Sequence, residues 1–263
     1  MSIQTIPSQP VDFAMPAMAQ AIFTYGNVLP LAVIGFLALR YARQNKSFIP
    51  PLLLVGGLLS MFIEPVVDVL GLCYFPDQGS WRAFRAFNVT IPLFMVPVYA
   101  WYVGGQAFLV FRILERGMTA SKFVQTWLIL ILVNGALETP GLLLGVYTYY
   151  GAQPFQVLGF PWWWTFCNAL MPMTAAVLTF KLRPYLGGLR CLLVVPIVPM
   201  ADGLVNGAIG WPTWVALNSG YGYAATYPAA ILSFGLACVA VYFLILVIDP
   251  SRSGTYLEKG RSK

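Results

Sequence analysis

Residues 226–248 read TYPAAILSFGLACVAVYFLILVI, a stretch without one charged side chain. The hydrocarbon layer of a bilayer is about 30 Å thick and takes about 20 apolar residues of helix to cross, so this segment has the length of a span. Six more segments, roughly 20–40, 50–73, 90–111, 123–147, 161–180 and 189–210, read the same way. The whole chain agrees with them. Of its 263 residues 59% are hydrophobic and 9% charged, at a mean hydropathy of +0.75, whereas a soluble domain carries about 25% charged residues. The expectation is an all-α polytopic membrane protein, a seven-transmembrane-helix bundle forming a single membrane domain over residues 1–263. Proline and glycine inside these runs are tolerated where neighbouring helices satisfy the freed backbone groups; Pro196 and Pro199 predict a kink in the sixth span.

Basic residues orient the bundle. Arg40, Arg43, Lys46, Arg112, Arg116, Lys122, Lys181, Arg183, Arg190, Arg252, Lys259, Arg261 and Lys263 fall in alternate connections, against Arg82 and Arg85 in the others. That predicts a multi-pass protein of the cell membrane with its N-terminus outside and its C-terminus in the cytoplasm. The start of the chain has no positively charged leader, so no cleaved signal peptide is expected. The net charge of +6 is spread over short caps rather than along one face, which argues against a nucleic-acid partner. Tyr147, Tyr149, Tyr150, Trp162, Trp163, Trp164, Trp211 and Trp214 crowd the opposite side, as an interfacial belt or as the roof of a pocket. Cys73, Cys167, Cys191 and Cys238 are widely spaced and read as small packing residues.

The acids carry the functional signal. Asp12, Asp77, Glu115, Asp249 and Glu258 fall in tails and connections, but Glu64, Asp68, Glu138 and Asp202 fall inside spans, where an ionisable group is costly and marks function by default. At about 1.5 Å rise per residue, Glu64, Glu138 and Asp202 reach one level in the outer half of the bilayer. Each has a polar partner four residues away on the same face: Asp68, Asn134 and Asn206. Asn27 and Asn168 fall at comparable depth. Helix–helix hydrogen bonds are the bland account, but they contribute only about 0.6–2 kcal/mol each, and no Lys or Arg lies in any span core to neutralise four carboxylates. The economical account is one polar cavity, open outward, in which at least one acid stays protonated beside an ionised one. That pair is a general acid next to a general base.

The absence of histidine removes His-ligated metal and haem sites and Ser–His or Cys–His nucleophiles. No span core holds a lysine for a retinal Schiff base, and no phosphate-binding glycine loop is present. Glu64-Pro-Val-Val-Asp68 has the spacing of half a diphosphate–magnesium motif, but the second acidic motif and the basic residues are missing. Gly104-Gly105 reads as a close helix contact. No cofactor is expected.

Met61-Phe-Ile-Glu-Pro-Val-Val-Asp68, Gly79-Ser-Trp81, Glu138-Thr-Pro140 and Gly145-Val-Tyr-Thr-Tyr149 together resemble the actinobacterial membrane proteins of the AveC-like spirocyclase type. The seven-helix plan with acids on separate helices is also similar to the integral membrane terpene cyclases of fungal meroterpenoid and indole-diterpene pathways. Both resemblances imply acid-catalysed ring closure on a lipophilic substrate, without a cofactor.

The reading is a membrane-embedded cyclase or isomerase for a lipophilic isoprenoid or polyketide, its partners being that small molecule and the membrane lipid. Glu64 and Asp202 are the expected acid and counter-charge, with Asp68 and Glu138 as tuning partners. Asn134, Asn168 and Asn206 would contact substrate, and Tyr99, Trp101 and Trp163 would face a developing cation. The alternative is a proton-coupled transporter or channel using the same carboxylates. The apolar inner halves of the even-numbered spans, such as Trp127-Leu-Ile-Leu-Ile-Leu-Val, favour a one-sided pocket.

Overall fold

The computed structural model describes residues 7–249; Arg252, Glu258, Lys259, Arg261 and Lys263 lie outside them. The described residues are mostly helical. In order come α1 (Ala17–Gly26), α2 (Val28–Asn45), α3 (Ile49–Ser60), α4 (Glu64–Gly71), α5 (Met95–Tyr99), α6 (Gln106–Glu115), α7 (Ala120–Leu143), α8 (Trp164–Leu182), α9 (Val194–Leu217) and α10 (Tyr223–Ile248). A π-helical segment, Ala100–Gly105, joins α5 to α6, and two short 3-10 turns lead from α8 into α9. Among the described residues five helical stretches are long and apolar enough to cross a membrane, counting α1 with α2 as one, and a sixth is added if the bent pair α3–α4 is a single span. Met95–Glu115 has continuous helical backbone, but Tyr99, Tyr102 and Gln106 dilute its apolar surface and it is not one of them.

The expected boundaries shift where turn chemistry overrides hydropathy. Residues 89–92 are strand, not the start of a span, because β2 (Arg82–Ala86) and β3 (Val89–Pro92) form a hairpin turned by Phe87 and Asn88 at positive φ. The second span is two helices bent by 48°. Pro65 has no N–H to continue the ladder, and its ring would meet the carbonyl of Met61; that carbonyl takes the Glu64 N–H instead, within a run of tight turns. The sixth span, by contrast, runs unbroken as α9 with Pro199 and Pro212 inside it.

Helix α8 is the hub, with 72% of its most apolar stretch buried, whereas α1–α2 at 6% is peripheral. Close approach is built from glycine. A Cβ on Gly57 of α3 would stand 2.4 Å from the Gly104 nitrogen, and one on Gly104 would stand 2.5 Å from the Leu53 carbonyl oxygen. Thus α3 meets the π-helical segment backbone to backbone.

The two ends of the bundle differ. At one, Glu115 of α6 takes the Tyr41 hydroxyl of α2 and an Arg183 guanidinium N–H at 3.0 Å, tying three helix ends together. Arg40, Arg43, Lys46, Arg112 and Arg116 sit at the ends of the same helices. At the other, Arg82 and Arg85 pair with Asp77, and the Gln20 side chain holds the loop before the β2–β3 hairpin through Gly79 and the Trp81 N–H. There β1 (Cys73–Tyr74) pairs antiparallel with β4 (Thr148–Tyr149), and β5 (Gln156–Val157) pairs with β6 (Phe160–Pro161). These strands roof the bundle at this end.

Candidate active site

Under the β1–β4 roof lies a cavity of about 160 Å³. Three of the four acids singled out from the sequence line it: Glu64, Asp68 and Glu138. Each arrives by a departure from regular helix. Glu64 is the first residue of α4, placed there by the Pro65 bend, so its carboxyl sits at a helix N-terminus. Asp68 follows one turn later on the same face. Its chain then leaves the helix through Leu72 at φ 55°, a left-handed conformation rare for a bulky residue, held by the Tyr150 N–H on the Leu72 carbonyl at 2.9 Å. That turn delivers Cys73 and Phe75 to the cavity wall.

The tyrosines come from opposite sides. In the α5–π–α6 helix the wide π turn spreads side chains over a broader arc than an α-helix allows, and π segments concentrate at functional sites. Tyr99, Trp101 and Tyr102 all face the cavity. The Tyr99 hydroxyl donates to Glu64, and Trp101 Nε1 donates to Asn27 at 3.0 Å. From the roof, Tyr147 donates to Glu138 Oε2 at 2.5 Å and lies within 2.7 Å of the Glu138 carbonyl. It reaches there because Gly141 has no side chain: a Cβ would be 2.4 Å from the Tyr147 ring. Asn168 Nδ2 donates to Glu138 Oε1 at 3.3 Å. The Tyr102 hydroxyl faces Glu138 and Asn168, and Asp68 Oδ2 and Trp164 Nε1 are buried without a partner.

The remaining expected site residues lie elsewhere. Asp202 is buried on α9, where Asn206 Nδ2 donates to its Oδ1 at 2.7 Å and Ser60 faces it. Asn206 also contacts Met171 Sδ at 2.9 Å, and Met171 lines the cavity, so Asp202 and Asn206 form a second polar cluster behind that wall. Asn134 accepts from Gln106 Nε2 at 2.8 Å and ties α7 to α6 away from the cavity. Trp163 is fully buried; it donates to Gln153 at 3.3 Å and stacks on Trp164 at 4.3 Å. It is Trp164 that lines the cavity, lying over Gly71, where a Cβ would fall 2.1 Å from its ring.

Sequence reasoning passed over Tyr102 and Phe75, took Cys73 for a packing residue, and placed Trp164 only in a group of belt or roof aromatics. Tyr102 was within reach of it, one helical turn beyond Tyr99. Tyr147 was read as belt or roof, and no spacing ties it to Glu138, because the chain reverses at Gly145 (φ 70°).

The wall therefore combines three carboxyls, four tyrosines and further aromatic faces, with no Lys, Arg or His. Such a set can give and take protons and place negative charge and π faces beside a cation. Compared with known proteins, the chain matches no family model, no curated protein and no solved structure.

Proposed function

We propose that the protein is a membrane-embedded, cofactor-independent cyclase or isomerase acting on a lipophilic isoprenoid or polyketide. The observation that carries this is the convergence of Glu64, Asp68 and Glu138 on one cavity walled by Tyr99, Tyr102 and Tyr147. The protonated member of the carboxyl set gives its proton to an epoxide or hemiketal oxygen or to an alkene. Electron demand at the adjoining carbon then draws in an internal nucleophile, and the ring bond forms. An ionised carboxylate stabilises the cation and takes the terminating proton, which restores the set. The product keeps the mass of the substrate, or has lost one water where a hemiketal hydroxyl leaves. Glu64 is the chosen donor, with Tyr99 fixing its orientation; Asp68 and Glu138 supply base and counter-charge.

In this reading the chain spans the cell membrane seven times, the bent pair α3–α4 and the α5–π–α6 helix each counting as one span. The end carrying Arg40, Arg43, Arg112 and Arg183 faces the cytoplasm and the cavity lies in the outer half of the bilayer. Reporter fusions after residues 46, 118 and 186 are expected inside, and fusions after 78, 153 and 218 outside.

The chemical test follows candidate polyprenyl and polyketide substrates in nanodiscs. Glu64→Gln keeps shape and hydrogen bonding but cannot deliver a proton; it is expected to fold and to lose about 10²–10⁴-fold in turnover. Full activity in Glu64→Gln overturns the mechanism. Proton-coupled uptake into proteoliposomes, abolished by the same change, replaces it with a transporter.

A further inference from the structure

The size and polarity of the cavity limit what it can hold. Its volume of about 160 Å³ is close to the roughly 150 Å³ void that takes up one benzene in an engineered core. A whole polyprenyl or polyketide chain does not fit. The walls also select by charge: three carboxyls face inward and no lining side chain is cationic, so an anionic group would enter an unpaired, like-charged site. Two polar atoms await a partner. Asp68 Oδ2 and Trp164 Nε1 have none, on residues only 2% and 3% exposed. Buried polar groups are ordinarily satisfied, and leaving one unmade is destabilising.

In the roof Cys73, Phe75 and Tyr147 are buried, and Tyr149 beside them lines the cavity half-buried. Leu137 of α7 lines the cavity and is also 40% exposed, and its outward neighbours are the exposed Leu132 and Val133. Phe23, Asn27 and Trp101 also line the cavity and are half-buried. On the sides of α7 and α1 the lining thus adjoins apolar surface.

Resting on the reading of the cavity as the site for a bilayer-borne substrate, we propose that its ligand is a long-chain amphiphile. The head is no larger than one six-membered ring, carries a hydrogen-bond donor and bears no negative charge; the tail stays outside, passing between Leu137 and Trp101 into the lipid. Asp68 Oδ2 accepts from the head, while Tyr102 and Trp164 donate to it. A diphosphate or carboxylate head is excluded.

Binding to purified protein in nanodiscs tests this by ligand-induced shifts in Tm, which follow affinity for the folded state. Dodecylcyclohexanol and dodecylcyclohexylamine are expected to raise Tm, and dodecylcyclohexanecarboxylate to leave it unchanged. In Asp68→Leu the alcohol is expected to need at least tenfold more ligand for the same shift, although the empty variant melts no lower than the parent, since an orphaned polar group has gone. Tyr102→Phe removes only a hydroxyl and makes the same test should Asp68→Leu not fold. Leu137→Trp fills the mouth: dodecylcyclohexanol is expected to lose its shift while cyclohexanol keeps it. A carboxylate shift equal to that of the alcohol overturns the proposal, as does Leu137→Trp acting on both alcohols alike or on neither. Every readout is binding, so the expected pattern without turnover retires the cyclase reading and leaves this one standing.

Discussion

The half of the bundle around the cavity and the half built on α8, α9 and α10 contain the same disruptive residues, and they respond differently. Helices α8, α9 and α10 run unbroken with Pro172, Pro199, Pro212 and Pro228 inside them. The carbonyl that Pro199 frees, on Val195, is covered by a neighbour: it lies 2.6 Å from where a Cβ on Gly56 would stand. A second helix thereby shields the exposed backbone group, as buried helices require. Around the cavity α7 also runs unbroken through Pro140, as α8 does through Pro172, but regularity fails three times, at the α1–α2 junction beside Asn27, at the Pro65 bend and at the Ala100–Gly105 π turn. All three sites face one void. Proline content alone does not explain where helices break here, since Pro140 and Pro172 are carried without a break; irregular backbone gathered around one void is a pattern common at functional sites.

The contrast can be broken at its tightest contact first. Glycine to alanine in a helix normally gains about 0.5–1 kcal/mol, but at Gly57 the new methyl meets the Gly104 backbone. Gly57→Ala is therefore expected to destabilise by about 1–3 kcal/mol or more, read as a lower Tm in nanodiscs. Gly235→Ala on α10, where a Cβ meets nothing within 4 Å, is expected to be neutral or stabilising. Equal effects at the two positions would mean that α3 and the π segment are not in backbone contact.

Proline gives a sharper version. Pro65→Ala allows α3 and α4 to straighten and draw Glu64 away from Tyr99, with an expected loss of about tenfold in turnover, or about 1.4 kcal/mol. Pro212→Ala on α9 is expected to leave turnover unchanged. If both behave alike, the bend is not a feature of the site.

The smallest effect belongs to the outer loop. The Thr90 hydroxyl and then the Arg82 guanidinium hold the Asp77 carboxyl below the usual carboxylate range. A lowered acid contributes stability above its unfolded value and loses it as pH falls through the folded one, so the β2–β3 hairpin should loosen only under acid conditions. With side chains 40–45% exposed, the pair contributes about 0–1 kcal/mol. Asp77→Asn is expected to remove this acid limb from a Trp81 fluorescence titration without touching turnover.

How much of this was legible depended on range. Apolar length located the helices, because hydropathy over a window is a local property; it failed at residues 89–92, where apolar strand and apolar helix look alike. Depth along the spans placed Glu64, Glu138 and Asp202 at one level, with Asp68 a turn from Glu64; Glu64, Asp68 and Glu138 do share a void. Asp202 is not in the lining; it meets Ser60 at the end of α3, within electrostatic reach of Glu64 and Tyr99. Asn134 and Asn206 were expected at the substrate from their spacing to acids. Spacing within one helix leaves open which neighbour lies opposite, and Gln106 and Met171 lie there. Trp163 and Trp164 differ only in which side of a helix start they occupy, and no local pattern distinguishes the wall from its backing.

The central claim is that proton chemistry belongs to the cavity at the helix break and not to the second buried acid behind its wall. The direct measurement is turnover of one substrate by Glu64→Gln and Asp202→Asn side by side in the same nanodiscs. Glu64→Gln is expected to lose at least about 10²-fold, while Asp202→Asn, which can keep its contact to Asn206, is expected to stay within about threefold of the parent. Equal losses in the two variants, or the larger loss in Asp202→Asn, would contradict the account.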